Sequence, residues 1–333
     1  MKEYTSHTRR MQLYKHLPLD TPFGIHICPT TFCNFKCVYC KHSSVESKED
    51  LDQCFMDIEF FKMIIKQIKK FPHKLKLLNF AWLGEPLLHP QIAEMVEYAK
   101  KADIAERVEI VSNGTMLSSD LSDALVKAGL DRIRISLQGL TEEDYYNISK
   151  YKINFNEFVS NLTYFYNKSR ESGNTKVYIK IMDAMLKEKT DEDKFQKIFS
   201  GICDSLNIET LVPLVEENNI SDLKKDFDKG YWKNSVKDVT VCPQPFYLMV
   251  VTPKGIALPC CEIGAHVNVG KISEHNTIVD IWNGTKLKEI RKMMLDGGRF
   301  HHPDCSKCNV VTYQTSEEDN LDAYMENLKK VYG

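Results

Sequence analysis

The segment Cys33-Asn-Phe-Lys-Cys37-Val-Tyr-Cys40 places three cysteines in eight residues, spaced C-x3-C-x2-C. Cysteine thiolates hold the irons of a 4Fe–4S cluster. Three of them on one tight loop hold three irons and leave the fourth open, a place to bind and activate a small molecule. Turn-like backbone also offers N–H groups to the cluster's negative charge. The competing reading is a zinc site short of its fourth ligand. Zinc motifs usually run as pairs of C-x2-C, so x3-then-x2 fits them poorly.

The remainder of the chain sets the context for that loop. Its 333 residues, 43% hydrophobic, suffice for one large domain or two unequal ones. A net charge of −2 argues for no polyanionic partner and so no nucleic acid. The lysines of Lys66 to Lys70 alternate with apolar residues, as on the wet face of a helix. Met1 to Asp20 is charged and carries no signal-peptide pattern. No run of about 18 apolar residues occurs, so no membrane span is expected. A cytoplasmic location is therefore expected, and eleven cysteines in a cytoplasmic chain point to metal rather than disulfides.

Strand and helix patterns alternate along the first two thirds. Phe23 to Cys28 reads as a strand feeding the cysteine loop. Strands over Leu75 to Leu83, Val108 to Val111, Ile133 to Leu137, Val177 to Ile181 and Thr210 to Pro213 follow. Between them lie helices marked by Ile58–Ile68, Ile92–Ala99, Leu121–Ala128, Phe158–Phe165 and Phe195–Ile202. The alternation predicts an α/β fold with a parallel sheet, of fewer strands than the eight of a closed barrel. In the fourth and fifth strands Ile133, Ile135, Leu137, Val177, Ile179 and Ile181 face the helices. That turns Arg134, Ser136, Gln138, Tyr178, Lys180 and Met182 toward the lumen. His26 shares the lumen face of the first strand. A buried ammonium needs a partner. Lys180 therefore either positions a ligand or acts as a base, or is held in an ion pair within the barrel, for example to Glu85 or to an Arg-paired carboxylate. Lys180, Arg134 and His26 are the candidate catalytic groups.

Tyr39 before the last cysteine completes C-x3-C-x-aromatic-C, and with it the chain resembles the radical S-adenosylmethionine (SAM) superfamily. The resemblance implies a partial (β/α)6 barrel with a 4Fe–4S cluster on Cys33, Cys37 and Cys40. SAM's amine and carboxylate would chelate the open iron. One electron from a flavodoxin or ferredoxin would then release a 5′-deoxyadenosyl radical. Trp82-Leu83-Gly84-Glu85-Pro86 resembles the family's Gly-Gly-Glu-Pro, with Leu83 replacing the first glycine. It implies Gly84 and Glu85 beside the methionyl amine. Ser136 falls where the family's polar strand residue touches SAM, with Gln138 a second candidate there, and Tyr39 is the motif's aromatic. Asn113, in Ser112-Asn113-Gly114 at the end of the third strand, either only makes a turn or reaches the cofactor.

Composition shifts near residue 215, and the expected organisation is an N-terminal extension (1–22), a barrel (23–215), a linker (216–240) and a Cys-rich unit (241–333). In that unit Tyr247–Val251 and Ile256–Leu258 flank Pro253-Lys254-Gly255 as a β-hairpin, and Ile278–Trp282 and Leu287–Met294 read as helices. Four of its cysteines could close a metal site, and zinc or a second 4Fe–4S cluster both suit four thiolates. The run from Gly255 to Cys308 resembles the SPASM/twitch extension of radical SAM enzymes. On that resemblance Cys242, Cys260, Cys305 and Cys308 ligate an auxiliary 4Fe–4S cluster, Cys261 being an alternative to Cys260. No cysteine follows Cys308, which implies the shortened, twitch-like version. Cys28, Cys54 and Cys203 read as packed thiols.

Three functions follow. The first is a radical oxidoreductase that abstracts hydrogen from a small polyol, sugar or aminocyclitol, giving dehydrogenation or epimerisation. Cys28 or Cys261 would return hydrogen in the second case. The next is a maturase of a ribosomally made peptide, disfavoured because only about twenty residues precede the first strand. The last is a zinc-stabilised scaffold with no catalysis.

Overall fold

The computed structural model describes residues 11–44, 53–213, 220, 223, 226–231, 235–261 and 267–333. The polar stretch after the cysteine loop and part of the expected linker lie outside the described residues. The chain runs through β1 (Gly24–Ile27), α1 (Lys41–Ser44), α2 (Ile58–Ile68), β2 (Leu77–Phe80), α3 (Ile92–Ala102), β3 (Val108–Ser112), α4 (Ser119–Lys127) and β4 (Arg132–Leu137). Then come α5 (Glu142–Ser149), α6 (Phe155–Ser172), β5 (Lys176–Met182), α7 (Asp191–Phe199) and β6 (Ser205–Glu209). The C-terminal unit holds α8 (Gln244–Tyr247), β7 (Leu248–Val251), β8 (Ile256–Leu258), β9 (Gly270–Lys271), α9 (Ile278–Asn283), α10 (Thr285–Leu295), α11 (Val310–Gln314) and α12 (Met325–Tyr332).

Local chemistry fixes the helix starts. Asp57, Ser118, Thr141 and Asn154 each accept a backbone N–H with the side chain at the N-cap of α2, α4, α5 and α6. Thr277 and Asp280 form a capping box on α9. Gly129, at φ 81°, follows α4, and Gly173, at φ 75°, ends α6.

Strands β1 to β6 pair in parallel and in sequence order, with the helices packed on one side. Ile133, Ile135 and Leu137 are buried in the helix-side core, as are Val177, Ile179 and Ile181. The opposite face carries Arg134, Ser136, Tyr178 and Lys180 into the lumen, as the alternation predicts. The sixth strand is not Thr210–Pro213. It is Ser205–Glu209, where Leu206 and Ile208 take the core side and Asn207 and Glu209 the lumen. The contiguous apolar pair Leu211 and Val212 is buried beyond the strand end.

One pairing was not foreseen. The hairpin strand β7 lies parallel to β1, with Gly24 opposite Leu248 and Ile27 opposite Val251. The sheet thus continues as β1-β7-β8-β9 into the C-terminal unit. Met249, Val251, Trp282 and Leu287 join the barrel's own core. A second cluster gathers Leu13, Val241, Phe246, Leu295 and Leu328. No helix among the described residues is long and apolar enough to cross a membrane.

Candidate active site

The cysteine loop leaves the C-terminal end of β1 and lies against the loops that follow β2, β3 and β4. Backbone meets backbone at Gly84: the N–H of Glu85 donates to the Phe32 carbonyl at 2.7 Å. A Cβ on Gly84 would stand 2.2 Å from the Thr30 oxygen, and its φ is +71°. Glycine is required there for both reasons. The Glu85 carboxylate, 2% exposed, accepts the Ser112 hydroxyl and the Asn113 N–H, each at 2.7 Å, and the Leu87 N–H at 2.9 Å. Burial raises its pKa, and those three donors work against the rise. Glu85 is therefore held by the chain's own donors, not by Lys180.

Side chains complete a collar around the loop. Asn113 Nδ2 donates to Asn34 Oδ1 at 2.8 Å, and Asn34 Nδ2 to Thr115 Oγ1 at 2.9 Å. The Tyr39 hydroxyl donates to Gln138 Oε1 at 2.7 Å. Below, Lys36 and Val38 donate their N–H groups to the carbonyls of Ser149 and Ile148 at the end of α5. Tyr39, Gly84, Glu85, Asn113 and Gln138 thus sit in one bonded assembly, with Ser136 two residues before Gln138 on the strand. Burial pushes the Cys33 thiol up to about 12 and raises Cys37 and Cys40; the charge of Cys40 adds to the rise at Cys33 and Cys37, and that of Cys33 to the rise at Cys37. Three thiols within mutual electrostatic range on a fixed loop fit a three-cysteine 4Fe–4S cluster.

His26, Arg134, Lys180 and Met182 line one cleft in the lumen, with a volume of about 510 Å³. Its far wall is the C-terminal unit: Cys242, Gln244, Cys261, Val310 and Val311. Lys180 Nζ lies 2.5 Å from Glu209, which also faces Arg134 at 3.4 Å and accepts the Tyr178 hydroxyl at 2.9 Å. Arg134 reaches Glu109 at 3.5 Å, and Arg132 pairs with Glu109 as well. Burial lowers the Lys180 pKa while Glu209 opposes the change. Of the two expected kinds of partner the structure supplies an Arg-paired carboxylate, Glu209, and not Glu85; Glu209 is in place because β6 ends on that residue rather than beginning after it. Burial depresses the His26 imidazolium to about 4, so the ring is neutral at pH 7.

The second cysteine set divides in two. Cys242, Cys260, Cys305 and Cys308 line one enclosed cavity, walled by Pro245, Pro259, Val267 and Met294. Arg299 stands beside it, its guanidinium locked onto the carbonyls of Thr240, Val239 and Cys305. Burial raises Cys242 to about 12 and Cys305 to about 11, and the Arg299 charge works against both shifts. Four soft thiols around an apolar cavity, with no imidazole or carboxylate among its walls, fit an iron–sulfur cluster. Among the described residues no three metal-binding side chains converge tightly enough for a single ion. Cys261 faces the other way. Its N–H donates to Gln244 Oε1 at 2.8 Å and Gln244 Nε2 approaches its sulfur at 3.2 Å, on the lumen cleft. No disulfide joins any of the eleven cysteines.

Asn34, Glu209, Glu109 and Gln244 were not singled out from sequence. The alternation Ser205-Leu-Asn-Ile-Glu209 carried the signal for Glu209. Nothing local marks Asn34 or Gln244, whose partners lie 79 and 17 residues away.

Comparisons agree with this arrangement. The family model of the radical SAM superfamily matches residues 27–194, and that of the SPASM iron–sulfur cluster-binding domain matches residues 242–309. A GTP 3′,8-cyclase of Chlorobaculum tepidum is 35% identical over 41% of this chain, and the match spans only 40% of that protein. An S-adenosyl-L-methionine-dependent 2-deoxy-scyllo-inosamine dehydrogenase of Niallia circulans is 24% identical over 86% of this chain and 92% of its own length. The crystal structure of BtrN in complex with AdoMet and 2-DOIA superposes with a TM-score of 0.57 at 22% identity, covering 89% of this chain and 96% of that one. The two models account for both cysteine sets, with a SAM-binding 4Fe–4S cluster at the first and auxiliary iron–sulfur binding at the second. The chain belongs to the radical SAM superfamily and carries a C-terminal SPASM iron–sulfur domain.

Proposed function

We propose that the protein is a radical SAM oxidoreductase that takes hydrogen from a carbinol carbon of a small hydroxylated substrate, a polyol, sugar or aminocyclitol. The observation that carries this reading is the lumen cleft, in which the polar groups of His26, Arg134 and Lys180 face the cysteine-bearing wall of the C-terminal unit. The near-full-length likeness to the aminocyclitol dehydrogenase supports it. When bound, SAM with its cluster supplies a 5′-deoxyadenosyl radical, and the auxiliary cluster supplies an electron relay.

The chain's own residues do the rest. Cys33, Cys37 and Cys40 would hold the first cluster, and Cys242, Cys260, Cys305 and Cys308 the auxiliary one, in the twitch-like form. Gly84 and Glu85, with Tyr39, Asn113, Ser136 and Gln138, shape the SAM end of the lumen. Lys180 and Arg134, their charges balanced by Glu209 and Glu109, donate hydrogen bonds to substrate hydroxyls and orient the ring. Neutral His26 takes the hydroxyl proton as the carbinol is oxidised. The walls are charge-compensated, which suits an uncharged or zwitterionic polyol better than a polyanion. A cytoplasmic location accords with eleven cysteines outside disulfides.

The test is anaerobic incubation of the iron-loaded protein and SAM with 2-deoxy-scyllo-inosamine and a panel of inositols and hexoses deuterated at each carbinol carbon. Deuterium in 5′-deoxyadenosine names the carbon attacked. No transfer from any panel member, together with transfer from a Cα-deuterated peptide, would replace this reading with peptide modification.

A further inference from the structure

The outer face of the cysteine loop reaches the surface between two cluster-binding positions. Val38, one residue beyond Cys37, is 44% exposed. Consecutive Cα atoms lie about 3.8 Å apart, so the ligand thiol is within a residue of solvent. The end of α5 that holds this loop carries two more exposed aromatic groups, Tyr146 at 47% and, just past the helix, Tyr151 at 37%. Lys36, Lys150 and Lys152 are exposed beside them.

The patch is built rather than incidental. Lys36 and Val38 hang on the α5 carbonyls of Ser149 and Ile148 through their N–H groups, at 2.8 and 3.0 Å. The Tyr151 ring packs on Phe35 with centroids 5.4 Å apart. Lys152 Nζ lies 5.9 Å from the Tyr146 ring centroid, and Lys150 Nζ caps the Asn147 carbonyl at 2.8 Å. The acidic residues of α5, Glu142, Glu143 and Asp144, all lie in its first turn, and Asp144, the one nearest the patch, is taken up by Lys187 and the Thr141 hydroxyl at 2.8 and 2.7 Å. Glu142 is occupied there by the Phe155 N–H.

We propose that this surface docks an acidic flavodoxin-type carrier, which delivers single electrons to the group held by the cysteine loop. The inference rests on the proposed reading for its need of a one-electron reductant. Its place on the chain rests on the patch itself. Three ammonium groups around an apolar centre complement a carrier whose exposed flavin edge is apolar and rimmed by carboxylates. Tyr151, packed on Phe35 of the loop, and Tyr146 of α5 give that edge aromatic surface to cover. The flavin hydroquinone passes one electron to the cluster and becomes the semiquinone, with no bond made in the complex.

The test compares the full chain with K150E/K152E and, as a control of equal charge change on α10, K286E/K288E. A purified flavodoxin is titrated by its flavin fluorescence at 25 and 200 mM NaCl, and 5′-deoxyadenosine is measured with flavodoxin hydroquinone, reduced ferredoxin or dithionite as reductant. Wild-type binding should weaken about tenfold between the two salt concentrations, since exposed charges are screened beyond about 10 Å at 0.1 M. K150E/K152E should bind flavodoxin at least tenfold more weakly and lose flavodoxin-driven turnover in proportion, with dithionite-driven turnover unchanged. K286E/K288E should match wild type within about twofold. An equal loss in the control, no loss in K150E/K152E, or a loss confined to ferredoxin overturns the proposal. If dithionite drives no SAM cleavage in wild type, the oxidoreductase reading fails, and the titration still decides the docking surface.

Discussion

Cys260 and Cys261 are neighbours that face different cavities. The first lines the pocket of Cys242, Cys305 and Cys308, and the second is clamped by Gln244 over the lumen cleft. Replacing each in turn should therefore give opposite results. C260A should lower the iron content of the reconstituted protein from about eight to about four per chain, whereas C261A should leave it near eight. Iron analysis with Mössbauer spectra checks this, and equal losses in both variants would mean that either thiol serves as ligand. The seven cysteines proposed as ligands were picked out by their clustering together with the family resemblance. Which of the adjacent pair points inward was not, since that depends on the turn after β8 and on a glutamine from α8.

Among the elements, β5 and β6 carry the most strained balance. Glu209, 4% exposed, bridges Lys180 and Arg134 across the two strands. Burial raises its pKa, but the two cations outweigh that and hold the carboxylate below its ordinary range. Removing it leaves both cations facing each other in the lumen. E209A should cost about 3 kcal/mol of stability, the usual penalty for breaking a buried pair from one side. The double variant K180M/E209L should recover most of it. Urea unfolding checks both, and a loss under about 1 kcal/mol for E209A would mean that solvent already screens the pair. The alternation in β4 and β5 was readable because one side must meet helices. Strand β6 was misplaced because its two core residues, Leu206 and Ile208, are fewer than the apolar run that follows it. Helix α5 went unread because only Tyr145 and Ile148 of its apolar face are buried, too short a stripe for a period to emerge. Yet its carbonyls hold the cysteine loop.

On the scale of the whole molecule, the barrel and the Cys-rich unit share a sheet and a core. Trp282 from α9 is fully buried and donates its indole N–H to the Leu19 carbonyl at 3.0 Å, tying residues far apart in sequence. A chain cut after residue 240 loses β7, α9 and that bond together. It should be insoluble or expanded, and the intact protein should unfold in a single step, checked by light scattering and by differential calorimetry. A fragment that remained monomeric and cooperative would show that the barrel needs no such cover. This dependence was illegible in sequence, because a hairpin with ordinary turn residues gives no sign that its first strand pairs with one made more than 200 residues earlier.

The pairing of β7 with β1 has a consequence for synthesis. Residues 24–27 emerge early from the ribosome, but one edge of that strand stays bare until residues 248–251 follow. At about 5–20 residues per second this leaves a parallel edge open for roughly 10–45 seconds. Such an edge is a template for wrong partners, so nascent chains of this protein have a period in which a holding chaperone matters most, and it closes only as the last third is translated.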